Sequence, residues 1–467
     1  MRALAPVSSM AAAAAVLLGP LAGPVAAQQP GDPLTLDEAL TIARVQNPSV
    51  RQATNQLSLN EPERWNFLFG ELMPSVSLNA FSTGYNGNVQ RRATDNFGNP
   101  IESPTADWVY FSNTRQDLTL SWQVSGPSIF NAMDRRENTL ESRSAGVEAA
   151  QWTLRGQIHR QFFEAQEQTA LLEVEEALLD GRQIDYESAE QRFELAGVSR
   201  VEVLNAEVQI QQQQIAIEQQ RGAREQALLT LRQTLGGEEV PGIAEESLPI
   251  FEPALLDAER LVGTALSNNP DLRSARANVS DARIQVRESR ESWWPTLGVS
   301  YRLSRNAQDR ETSALLDLGY DEIDIGQNFG VTLSFNAFDN FFGMREQQAS
   351  SRVQLANREI TLDQEQLQVE ADVRSNLVAL QNAWRTLQIA DRSEEIAQQA
   401  TALAREEYAL GLLTFEELQE TVEQEATARR QALTSRYAFV DALIALEESV
   451  GVPVRPQGVS QPGGETD

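Results

Sequence analysis

Arg192-Phe193-Glu194-Leu195-Ala196-Gly197-Val198-Ser199-Arg200-Val201-Glu202-Val203-Leu204 and Glu407-Tyr408-Ala409-Leu410-Gly411-Leu412-Leu413-Thr414-Phe415-Glu416-Glu417-Leu418 read as two copies of one turn. In each, an aromatic residue closes a helical run and a glycine follows. Gly197 and Gly411 suit a helix stop, because glycine enters the left-handed conformation without a Cβ clash. Ser199 with Glu202, and Thr414 with Glu417, then have the Ser/Thr-x-x-Glu spacing of a capping box that restarts a helix. The chain is expected to double back twice, as two helical hairpins.

The arms of those hairpins are long. No proline occurs between Asn131 and Ala196, and Ile158, Ala165, Leu172, Leu179, Tyr186 and Phe193 recur every seven residues. In the second copy Ile389, Ile396, Leu403 and Leu410 do the same, beside Ala390, Ala397, Ala404 and Gly411. A sustained seven-residue period imposes left-handed supercoiling, and a helix of this span reaches on the order of 100 Å.

The duplication extends upstream. Asn47-Pro48 recurs as Asn269-Pro270, Leu72-Met73-Pro74 as Trp293-Trp294-Pro295, and Leu118-Thr119-Leu120-Ser121-Trp122 as Val331-Thr332-Leu333-Ser334-Phe335. The offset drops from 221 to 213 between the last two, which predicts about eight extra residues in the first copy, in the connection between its strands. The opening helices, Leu36 to Gln46 and Ala258 to Asn268, are expected to stop at Asn-Pro. Apolar residues alternate strictly with polar ones in four segments: Val76, Leu78 and Ala80; Leu118, Leu120, Trp122 and Val124; Leu297, Val299, Tyr301 and Leu303; Phe329, Val331, Leu333 and Phe335. One apolar and one polar face fit a lipid-facing, water-lined barrel; a half-buried soluble sheet is the other reading of the strands alone.

Composition narrows the function. The 467 residues contain no cysteine, which excludes disulfides, thiolate metal sites, cysteine nucleophiles and a lipid anchor on a processed cysteine. The single histidine, His159, reads as an ordinary helix residue. All 38 basic residues are arginine against 67 acids, and a net charge of -29 argues against nucleic acid as a partner. No phosphate loop, metal cluster or nucleophile setting is present, so neither an enzyme nor a cofactor is expected. Arg2, the apolar run from Met10 to Leu18 and Val25-Ala26-Ala27 predict a signal peptide over residues 1–27. No apolar run long enough for a membrane-spanning helix follows, so any membrane crossing must use strands.

The tip sequence, the Asn-Pro stops, the proline-led alternating strands and the tandem duplication together resemble the TolC outer-membrane efflux family, from about Leu34 to Val450. The resemblance implies an α+β membrane protein of duplicated helix-strand-strand-helix-helix units. Three chains would each give four strands to an outer-membrane β-barrel continued by a periplasmic coiled-coil barrel. Residues alone require only that other chains complete the four strands, since single barrels start at about eight. The first repeat is placed at 28–235, with strands about 74–90 and 113–125 and a hairpin about 130–235. A linker at 236–256 leads to the second repeat at 257–450, with strands about 295–305 and 326–337 and a hairpin about 341–450. The tail, 451–467, is expected to be disordered.

Further implied are passive conduction from an inner-membrane transporter and a periplasmic adaptor to the exterior, contact with outer-membrane lipid, and a gate at the tips. Tyr408 matches the family's gate aromatic, Glu417 and Glu420 its acidic rings, and Glu202 the first-repeat acid that the gate network holds. Leu413 stands where the family has an arginine, for which Arg200 is a candidate substitute, and Ala196 takes a glycine place beside Gly197. Rival readings are a periplasmic adaptor, which would show one hairpin and a lipoyl-like domain, and a soluble coiled-coil protein, which would not need four alternating strands.

Overall fold

The computed structural model describes residues 33–91, 94, 97–100, 106–195, 198–240, 242–309, 322–335 and 340–454. The signal segment, Gly197 and most of the tail lie outside them. Helices α1 (Leu36–Gln46), α2 (Pro48–Leu57) and α3 (Asn60–Phe67), with a π turn at Leu68–Leu72, lead into strands β1 (Ser75–Arg91) and β2 (Ala106–Ser125). Helices α4 (Ser128–Glu194) and α5 (Arg200–Thr234) form the first hairpin. The second repeat gives α6 (Ala258–Asn268), α7 (Pro270–Glu288), β3 (Thr296–Asp309), β4 (Glu322–Ser334), α8 (Phe341–Ala409) and α9 (Phe415–Val450).

The Asn-Pro signals end α1 and α6 where expected, but each also begins another helix. Asn47 accepts a hydrogen bond from the Ser49 amide, and Asn269 from Asp271 and Leu272, with proline at the first helical position. Proline there loses no helical bond and has its φ preset. Each repeat thus has a second helix ahead of its strands, which the pattern of one opening helix did not include. The surplus of the first copy also differs from expectation, because it lengthens strands: β1 and β2 have 17 and 20 residues, β3 and β4 have 14 and 13.

The four strands form one antiparallel sheet in the order β1-β2-β3-β4, which leaves β1 and β4 as edges. Register aligns the alternation across strands. Val76, Leu120, Tyr301 and Phe329 fall in one row, and Trp122, Val299 and Val331 in the next. The opposite face carries the rows Ser75, Ser121, Ser300, Gly330 and Ser77, Thr119, Arg302, Asn328. Val76, Leu78, Phe329, Val331 and Leu333 are exposed. In one chain nothing covers that apolar face among the described residues.

Two apolar cores lie where the short helices meet the long ones. Ala39, Ala43 and Val50 pack with Ile158, Phe162 and Leu231; Leu261, Val262 and Leu272 pack with Val373, Leu380 and Leu443. His159 is buried against Phe163. The segment between the repeats is held to the first core, since Leu34 and Ile243 bridge in parallel. The tail begins in order: Gly451 caps α9 in the left-handed conformation, and buried Val454 donates its amide to Glu447.

Candidate gate at the hairpin tips

At the second tip the local sequence folds as its pattern dictates. Gly411 has φ +79°, its amide donates to the Tyr408 carbonyl at 2.9 Å, and Leu412 donates to Glu407 at 2.9 Å. These are the paired bonds of a Schellman motif, which satisfies the last carbonyls of α8. The capping box is formed as well: Thr414 and Glu417 exchange side-chain to backbone bonds. The bond from the Thr414 backbone, and then that from its side chain, hold the Glu417 carboxyl below the usual range.

The first tip departs from its twin. Ser199 caps α5 without a side-chain bond, so the expected Ser199/Glu202 box is absent. Glu202 is engaged elsewhere: its Oε1 accepts from the Tyr408 hydroxyl at 3.1 Å, across the two hairpins. One duplicated glutamate therefore caps its helix, and the other joins the repeats.

Tyr408 is 1 % exposed and sits among Ala189, Ala206, Ala404, Phe415, Leu418 and Val422. Arg192 completes the cluster. Its guanidinium lies 4.3 Å from the centre of the Tyr408 ring, and its Nη1 donates to the Tyr408 carbonyl at 2.9 Å. Burial, and then the adjacent Glu202 charge, push the Tyr408 hydroxyl up to about 12, against the lowering effect of Arg192. Tyr408 therefore stays protonated and donating at any physiological pH.

Arg200, the candidate substitute for the missing arginine, instead stacks 5.7 Å from the Phe193 ring. Leu413 packs against the Tyr408 cluster. Glu420 is exposed and accepts from Gln424 on its own helix. Arg192 was not legible as a site residue, because its partner lies 216 residues away.

Above the tip, charged pairs continue to join the hairpins. Asp185 on α4 accepts from Arg405 on α8 at 3.0 Å, and Arg182 on α4 pairs with Glu423 on α9 at 3.0 Å. Higher still, buried Glu175 accepts from Arg430 at 2.6 Å and from Gln213 at 2.7 Å, linking α4, α9 and α5. Burial by itself would raise the Glu175 carboxyl, but Arg430 and Gln213 hold it below the usual carboxylate range.

The architecture is thus a strand sheet with one apolar face, continued by duplicated helical hairpins whose longer arms reach about 100 Å. Residues 261–452 match the family described as outer membrane efflux protein. Nodulation protein T of Rhizobium leguminosarum bv. trifolii is 24 % identical over 345 residues, 72 % of each chain. In structure the chain resembles CusC, with TM-score 0.71, 17 % identity and coverage of 89 % of this chain and 92 % of that one. It also resembles the Campylobacter jejuni CmeC outer membrane channel, with TM-score 0.65, 14 % identity and coverage of 89 % and 85 %. The second repeat thus carries the sequence pattern of outer membrane efflux proteins, and the chain shares the fold of CusC and CmeC over most of its length.

Proposed function

We propose that three copies of this chain close into the exit duct of a tripartite efflux or type I secretion system. The duct takes substrate from an inner-membrane transporter and a periplasmic adaptor and conducts it passively to the exterior. The observation that carries the reading is a pair of open edges on the same chain. The sheet ends on unpaired β1 and β4, and α8 presents Ile389, Ile396, Leu403 and Leu410 outward, 53–75 % exposed. These heptad residues are uncovered in one chain, whereas Ala390 and Ala404 beside them are buried.

Helix α5 supplies a matching stripe. Val201, Val208, Ile215 and Leu229 are 50–63 % exposed, and Gly222 has open space around it. Tyr408 stands level with Glu202 at the tip, and α5 and α8 run in opposite directions at equal rise. Between neighbouring copies Val201 then falls opposite Leu410, Val208 opposite Leu403, Ile215 opposite Ile396, and Gly222 opposite Ile389. Because the chain has no cysteine, a Val208→Cys, Leu403→Cys variant reports this pairing directly. Oxidation should yield a covalent trimer on a non-reducing gel; monomers alone would refute the pairing.

Within this duct the Arg192-Tyr408-Glu202 cluster holds the tips shut, and Glu417 and Glu420 attract cations at the mouth. Tyr408→Phe removes one hydrogen bond, about 1 kcal/mol, and should raise the open fraction in planar bilayers roughly fivefold. Arg192→Met removes a ring contact as well and should exceed that. Glu417→Gln with Glu420→Gln should reduce cation preference and leave the open fraction unchanged. Opening by the last pair alone would move the lock from Tyr408 to the cap.

A further inference from the structure

We infer that Arg305, seated against Gln116, binds the phosphate of an outer-leaflet lipid headgroup. The inference rests on the proposed orientation of the barrel, with its apolar face toward lipid. Arg305 shares the face of Leu297, Val299, Tyr301 and Leu303, and its cross-strand neighbours are Gln116 on β2 and Ile325 on β4. Both β2 and β3 are paired on each side within one chain, so joining copies does not cover this position.

The apolar rows run from Val124, Leu297 and Leu333 to Leu118 and Leu303, where β4 already places Gln327, and the next row holds Gln116 and Arg305 beside Ile325. At ~3.4 Å per residue and a tilt of ~40°, Leu297 to Arg305 spans roughly 21 Å of height, and Trp294 to Arg305 roughly 29 Å. Those values bracket the apolar band of about 25 Å on outer-membrane barrels. Arg305 therefore stands at the boundary far from the helices. On the helix side, Trp294 and Phe342 are exposed and Trp293 packs on Phe341, as interfacial aromatics do.

Chemistry selects the partner. Arginine is strongly disfavoured at mid-membrane but tolerated at the interface, where its planar fork matches phosphate oxygens. Gln116 Oε1 accepts from Arg305 Nη1 at 3.1 Å, which orients the guanidinium on the sheet surface. Arg302, three residues away, lies on the opposite face and donates to Thr119 at 3.4 Å. It is the internal control.

The assembled full-length protein, incubated with phosphatidylglycerol, phosphorylated lipid A or inorganic phosphate, is weighed intact by native mass spectrometry. Wild type and Arg302→Gln should retain phosphorylated lipid equally, inorganic phosphate should not displace it, and Arg305→Gln should weaken retention roughly tenfold. Arg305→Lys should fall between, as a point charge without the fork. Retention unchanged in Arg305→Gln would overturn the site while leaving the duct intact. Loss in Arg302→Gln but not Arg305→Gln would reverse the faces of the sheet, and with them the barrel orientation. Displacement by inorganic phosphate would reduce the site to a general anion contact and overturn the lipid assignment.

Discussion

Ile396→Asp combined with Leu403→Asp should abolish assembly while leaving the single chain folded. Both side chains are more than half exposed in one chain, so the substitution removes nothing from the intrachain core of Leu380, Phe439 and Leu446. In the proposed ring each would lie against α5 of the next copy. Burying one such side chain contributes about 2 kcal/mol, and two per chain around three interfaces come to about 12 kcal/mol before the cost of desolvating six carboxylates. Size exclusion in detergent should give a monomer whose helix content by circular dichroism equals that of wild type. A trimer of undiminished stability would remove α8 from the interface.

The second large effect lies inside one chain. Arg430→Met leaves Glu175, 6 % exposed, without its cation, and orphaning one member of a buried pair costs about 3 kcal/mol. The pH dependence follows from the lowered carboxyl of Glu175. A depressed folded value means that the group stabilises the fold above its unfolded value and loses that contribution as pH falls through the folded one. Wild type should therefore lose stability on acidification below the ordinary glutamate range, and Glu175→Gln should show a flatter acid limb in thermal melts. Equal acid limbs in the two proteins would exclude Glu175 from the linkage.

The opposite behaviour of Glu202 and Glu417 shows which parts of this molecule a sequence can reveal. Local chemistry is legible: Gly411, Thr414 and Glu417 lie within one turn of each other, and their bonds follow from spacing. The same spacing at Ser199 and Glu202 gives no box, because Tyr408, 206 residues distant, takes the carboxylate. Asn47 and Asn269 were legible as stops but not as starts, since a helix that turns a corner at proline looks the same as one that ends. The strand alternation set both faces of the sheet. Which copy covers the heptad stripe of α8 depends on a surface outside the chain's own contacts.

The bare edges of β1 and β4 bear on the genetics of this protein. Among the described residues both edges are open, and in hydrocarbon each unsatisfied amide or carbonyl would cost several kcal/mol, so in the proposed duct insertion and closure into a ring would be one event. A defective subunit that still docks by one edge would then be dominant. In the proposed ring of three, equal expression of sound and faulty alleles would leave only about one ring in eight free of the faulty chain. A mutation that destroys both edges would be silent in the same cell, because its product never enters a ring.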